Sequence, residues 1–129
     1  GVDVVTPDTI ASDPERKALF DDAIAAAVSA YEKLLDAGVP AEDARYLLPN
    51  AAESKIVITM NVRELLHFFK LRCCNRAQWE IRDMAHRMLE LARPTAPFVF
   101  ADAGAPCVSG ACPEGKMSCK NPYPRVKRS

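Results

Sequence analysis

The sequence predicts an α+β chain that is mostly helical, with one or two short strands. Two observations carry that prediction. Apolar residues recur at helical spacing through several long segments. A single β-branched run, Lys55 to Met60, interrupts them. At 129 residues, with 49% hydrophobic and 26% charged, the chain is at most one ordinary domain with a packed core. The body is expected over residues 1–100. An irregular tail rich in Cys, Pro and Gly follows over 101–129.

Each element has its own justification. Gly1 to Ala11 reads as a short extended piece, with a second strand near residue 3 and a turn at Pro7 and Asp8. Ser12-Asp13-Pro14-Glu15 combines a capping oxygen, a first-turn proline and an early glutamate, so it starts a helix. Phe20, Ile24, Ala27, Val28, Tyr31, Leu34 and Leu35 form its apolar stripe. Gly38 supplies a left-handed stop and Pro40 blocks continuation. Ala41 to Leu47 is a short helix ended by Pro49. Asn61 caps the next helix, with Glu64 three residues on; it runs to about Arg72 and buries Leu65, Leu66 and Phe69. Asn75 and Gln78 start the last long helix, whose stripe is Ala77, Ile81, Met84, Ala85, Met88, Leu89 and Ala92. Pro94 ends it. The tail closes on a basic end at Arg125, Lys127 and Arg128.

Charge narrows the function classes. Seventeen Lys and Arg balance seventeen Asp and Glu. A balanced chain lacks the basic field that nucleic-acid polymers or membrane surfaces select. The longest weakly polar stretch, Ala23 to Ala30, is too short to span a bilayer. No basic-then-apolar leader is visible, so no signal peptide is expected. The sequence begins at Gly1 rather than Met, which suggests a processed end, a tag remnant or a fragment. Five cysteines, an odd count without a secretion signal, favour reduced thiols in the cytoplasm.

The chemistry concentrates between Ala44 and Glu80. Asn61 stands at a helix start, where free amides and the helix dipole favour an anion. Arg63 in the first turn is disfavoured by the dipole, unless something negative binds beside it. His67, four residues on, shares its side. Arg45 and Arg72 fall near helix ends, and a guanidinium grips phosphate or carboxylate in two-point fashion. On spacing alone, an ordinary cap, solvated faces and surface arginines account for the same residues. Trp79 fits a core position more readily than a stacking platform.

Taken together, ARYLLP, a short strand, N-x-R, a His four residues after that Arg, L-R and AQWE resemble the C-terminal half of the flavin-dependent thymidylate synthases. The resemblance runs from about Val2 to Phe100 and is densest from Ala44 to Glu80. The ending AGAPCVSGACPEGKMSC is similar to an extension in a bacterial branch of that family. The resemblance implies synthesis of dTMP from dUMP, with methylenetetrahydrofolate and NADPH as co-substrates and FAD as cofactor. It implies a homotetramer with sites shared between subunits. By position, Asn61, Val62, Arg63 and His67 match FAD-contacting residues, and Arg45 matches a dUMP-binding residue. Arg72 matches the arginine that binds the uracil ring and promotes N3 ionisation, the family's catalytic role. Arg72 stays charged, so it would act by stabilising negative charge on the pyrimidine. The family's R-H-R-x-x-S signature is not in this chain. It normally precedes a segment like VDVVTPDTI, so the chain is expected to be a fragment, inactive by itself.

Cys107, Cys112 and Cys119 in the tail, with a cysteine of the Cys73-Cys74 junction, have the numbers for a tetrahedral zinc site. Their spacings are wider than those of common zinc modules, so the signal is weak, and reduced, partly buried thiols are the favoured reading. Two other classes stay open: a non-catalytic helical interaction module with a cysteine-bound metal, and a paralogue that binds nucleotide without catalysis.

Overall fold

The computed structural model describes residues 2–126; Gly1 and the Lys127 and Arg128 of the expected basic end lie outside the described residues. The chain divides into two compact units, Gly1–Val57 and Ile58–Ser129.

The first unit is built on one long helix. After the short helix α1 (Asp8–Ala11) comes α2 (Pro14–Asp36). The Asp13 carboxylate accepts the amides of Glu15 and Arg16, and Pro14 occupies the first helical turn, where its missing N–H costs nothing. Gly38, at φ +82°, ends the helix in a conformation that a Cβ would oppose. A short helix α3 (Ala41–Ala44) runs into a 3₁₀ turn, Arg45–Leu47, which matches the predicted short helix. The expected turn at Pro7 and Asp8 is instead the start of α1. Pro7 precedes it in extended conformation, and its carbonyl takes the Ile10 and Ala11 amides.

The predicted strands require correction. The piece near residue 3 forms a single antiparallel bridge, Val4 to Ala52, with Val5 N–H to Ala51 O at 2.9 Å and Glu53 N–H to Asp3 O at 2.8 Å. Lys55 to Met60 is not a strand. Ile56, Val57 and Ile58 are 75%, 97% and 56% exposed. β-branched residues favour a pleated surface only when a neighbouring strand and a covered face exist, and no ladder partner lies among the described residues. The observed architecture is therefore helical, with one isolated bridge, rather than α+β.

The second unit pairs α4 (Val62–Arg72) with α5 (Trp79–Ala92), followed by the short α6 (Pro97–Phe100) and 3₁₀ turns at Pro106–Val108 and Gly115–Met117. Its core joins Phe69, Cys73, Ala85, Leu89, Phe100, Ala103, Ala105 and Val108. The Phe69 and Phe100 rings meet edge to face at 6.2 Å. Leu65 and Leu66 pack against this core, as their spacing predicts. Met84 does not: it is 43% exposed, because it lies about 100° around the helix from Ala85. Gly104 adopts φ +135°, a conformation that side chains rarely adopt, although a Cβ there would meet the Leu89 and Val108 side chains only at ordinary contact distance, 3.6 Å each. Among the described residues, no helix is long and apolar enough to cross a membrane.

Phe69→Ala should destabilise the second unit by about 3–5 kcal/mol, from lost transfer energy and the cavity left behind. Urea unfolding followed by the fluorescence of Trp79 measures it. A loss below about 1 kcal/mol would contradict the central place of that ring.

Candidate functional site

Helix α4 carries most of the sequence-predicted residues. Asn61 is extended and its Oδ1 accepts the Glu64 amide at 2.9 Å, as a capping residue should. The amides of Val62 and Arg63 remain without intrahelical acceptors, a consequence of helix geometry. Arg63 and His67 are exposed one turn apart. Arg72 is exposed at the opposite end. Nine residues at about 1.5 Å per residue separate it from Arg63 by some 13 Å along the axis. The helix therefore presents two cationic ends rather than one convergent pocket. Arg45 belongs to the first unit, exposed directly after the buried Ala44.

These side chains share one property. Arg45, Arg63, His67 and Arg72 make no side-chain hydrogen bond or ion pair among the described residues. Four other arginines are committed, whereas Arg93 and Arg125 likewise make no side-chain hydrogen bond or ion pair among the described residues. Arg16 pairs with Asp13, Arg87 with Asp83, Arg82 donates to Asn75 O, and Arg76 reaches Glu114 and Met117 O. The uncommitted cations are those free to meet an anionic ligand.

Arg72 opens on a cleft of about 340 Å³ between the α4–α5 junction and the tail. Lys70, Arg76, Cys74, Cys107, Cys112 and Cys119 also line it. The junction itself is held by a network that sequence reasoning missed. Asn75, expected at a helix start, is instead a hub. Its Nδ2 donates to Asn121 O at 2.7 Å, its Oδ1 accepts the Tyr123 hydroxyl at 2.6 Å, and its carbonyl accepts from Arg82 at 2.8 Å. The Tyr123 proton goes to Asn75, so His86 Nε2, 3.1 Å from the same oxygen, donates to it. Burial raises the Tyr123 phenol above its usual range, opposed by the Arg82 guanidinium. Nothing periodic in the tail points to Tyr123, because its partner lies 48 residues upstream. Gln78 alone caps α5, accepting the amides of Glu80 and Ile81.

Two further expectations are corrected. Trp79 is 40% exposed, since it opens α5 well off the face that buries Ala85 and Leu89. The zinc ligand set Cys107, Cys112 and Cys119 is not assembled. No group of three or more His, Cys, Asp or Glu among the described residues is placed to hold a metal ion. Cys107 Sγ instead accepts the Tyr123 amide and Cys119 Sγ the Asn121 amide, each at 3.4 Å.

A largely helical protein with unpaired cations at both ends of an exposed helix is what this geometry defines. Comparison with known proteins makes the class specific. Residues 1–98 match the family described as thymidylate synthase complementing protein, and the chain belongs to that family. It is 56% identical over 115 residues to a flavin-dependent thymidylate synthase of Geobacter sulfurreducens, covering 89% of this chain and 50% of that protein. A protein of the same name from Nitratidesulfovibrio vulgaris is 49% identical over 131 aligned positions, covering 95% of this chain and 54% of that protein. One from Clostridium tetani is 58% identical over 78 residues, covering 60% and 31%. The chain thus spans about half the length, or less, of these curated relatives.

Cys73, next to Arg72, is fully buried, and burial pushes its thiol from 9.0 to about 11 against the opposing pull of Arg93. A raised folded value favours the protonated thiol. That contribution to stability is complete below pH 9.0 and is lost as pH rises through about 11. At pH near 8, iodoacetamide should therefore modify Cys112 and Cys119 at least about tenfold faster than Cys73. Equal rates by peptide mass spectrometry would contradict the burial argument.

Proposed function

We propose that this chain supplies the FAD- and dUMP-facing helical part of a flavin-dependent thymidylate synthase, which converts dUMP to dTMP with methylenetetrahydrofolate and NADPH. The observation that carries the reading is the set of exposed, uncommitted cations at the two ends of α4 in a chain of this family. The donor set fits FAD. The amides of Val62 and Arg63, the Arg63 guanidinium and His67 offer an anion-compatible surface at the start of α4. FAD, when bound, supplies the redox chemistry that the protein side chains lack.

The remaining roles fall to this chain's own groups. Asn61 holds the helix start rigid by capping it. Arg63 balances negative charge on the cofactor, and His67 contacts it from the same side. Arg45 binds the nucleotide through its guanidinium. Arg72 sits against the uracil and stabilises the negative charge that develops when N3 loses its proton; it does not take the proton itself. Sharing of these sites between subunits of a cytoplasmic homotetramer belongs to the same proposal. The free thiols are compatible with a reducing compartment. The half-buried α2 stripe and the exposed Ile56, Val57 and Ile58 leave apolar surface for assembly.

In the enzyme that contains these residues, Arg72→Ala should lower tritium release from ring-labelled dUMP by about 10²–10³-fold in kcat. Arg63→Ala should mainly reduce FAD retention, read by flavin absorbance. Arg45→Ala should weaken dUMP binding about tenfold in calorimetry. If all three substitutions leave these readouts unchanged, the assignment fails. This chain alone, lacking the R-H-R-x-x-S residues, is expected to release no tritium from dUMP.

A further inference from the structure

The proposed chemistry leaves the five cysteines without a role. The structure sorts them. Cys73 is sealed in the core, whereas Cys74, Cys107, Cys112 and Cys119 all open on the cleft at the α4–α5 junction. Lys70, Arg72 and Arg76 line the same cleft, and its acidic residue, Glu114, pairs with Arg76 at 3.3 Å. Thiols that open on a cleft are accessible to an oxidant, whereas a buried one is not.

The tail is tied down around one of these thiols. Arg76 donates to Met117 O at 2.8 Å and Asn75 donates to Asn121 O at 2.7 Å. Asn75 and Arg76 immediately follow Cys74. Cys119 lies midway between Met117 and Asn121. The two anchors therefore bracket Cys119 and bind it to the residues beside Cys74. The turn after Cys119 is unusual: Lys120 has φ +59°, and Cys119 Sγ lies 3.4 Å from both the amide and the carbonyl oxygen of Asn121, accepting from the first and donating to the second. Cys107 is held elsewhere, taking the Tyr123 amide. Cys112 lies two residues before Glu114, whose side chain pairs with Arg76.

We propose that Cys74 and Cys119 are a redox pair that forms a disulfide across this cleft on exposure to a peroxide, stapling the tail to the α4–α5 junction. The Cys119 thiolate attacks one peroxide oxygen, giving a sulfenic acid and releasing the other oxygen as water after protonation. The Cys74 sulfur then attacks the sulfenic sulfur, losing its proton as the hydroxyl leaves as a second water. Two thiols and hydrogen peroxide become one disulfide and two waters, a two-electron oxidation of the protein. Two equivalents of a small thiol reverse it. A disulfide needs Cα atoms within about 7 Å, and Cys119 stands in irregular backbone between its two anchors rather than in a helix.

The test uses the full chain, reduced and then treated with hydrogen peroxide. Remaining thiols are alkylated, and the protein is digested without reductant and mapped by mass spectrometry. The expected product joins the Cys73-Cys74 peptide to the Cys119 peptide, is reversed by dithiothreitol, and persists in Cys112→Ser. Cys74→Ser and Cys119→Ser should abolish it; loss in Cys74→Ser assigns the bond to that member of the Cys73-Cys74 pair. Amide exchange over residues 114–122 should slow about tenfold on oxidation of the parent chain and not in Cys74→Ser. Cross-links between other cysteines, intermolecular cross-links that vanish on dilution, or sulfinic acid without a cross-link would overturn the proposal.

Discussion

The burial of Phe69 sets the rotational phase of α4, and the second unit is arranged around it. At about 100° per residue, Arg63 and His67 lie some 120° and 160° away from Phe69 around the helix. Packing that ring against Phe100 and the α5 face therefore forces both side chains outward. Cys73, buried one turn later, extends the same seam to the end of the helix. A polar residue at position 69 would lose the seam and with it the defined direction of the candidate side chains on α4. Core packing and the outward direction of Arg63 and His67 are thus one constraint seen from two sides.

The tail plays a different part. It contributes Ala103, Ala105 and Val108 to the core, but its later residues are held mainly by polar contacts. Asn75 satisfies its side chain and carbonyl with Asn121, Tyr123 and Arg82. Such a fully satisfied network rigidifies a junction that has no regular secondary structure to stiffen it. Arg72 is the last residue of α4, so the junction that follows it is braced while its own guanidinium stays uncommitted. Electrostatics point the same way: cations paired with backbone carbonyls build the junction, and cations without partners face solvent.

The helices were legible because their information is local. Asp13 and Pro14, Asn61, Gln78 and Gly38 mark boundaries through short-range geometry, and the observed helices start and stop where these residues stand. The run from Lys55 to Met60 misled because strand formation is non-local. Its residue types say that a strand is permitted, not that a partner is at hand. The zinc alternative was not assembled for a related reason, since metal-site spacing constrains ligands only when the fold gathers them. Asn75 and Tyr123 were illegible as partners because nothing periodic connects positions 48 residues apart.

By itself, the amino-acid sequence determined where the long helices begin and end, most of their apolar stripes, and the family to which the motifs around Arg45, Asn61, Arg63, His67 and Arg72 belong. These follow from capping chemistry, periodicity and motif order, all of which are written along the chain. Tertiary structure alone decided that the β-branched run stays unpaired, that Trp79 is partly exposed, and that four cysteines share a cleft with Arg72 while Cys73 is sealed away. Those outcomes depend on which distant surfaces meet, and contact between distant residues is settled by packing and burial across the whole unit.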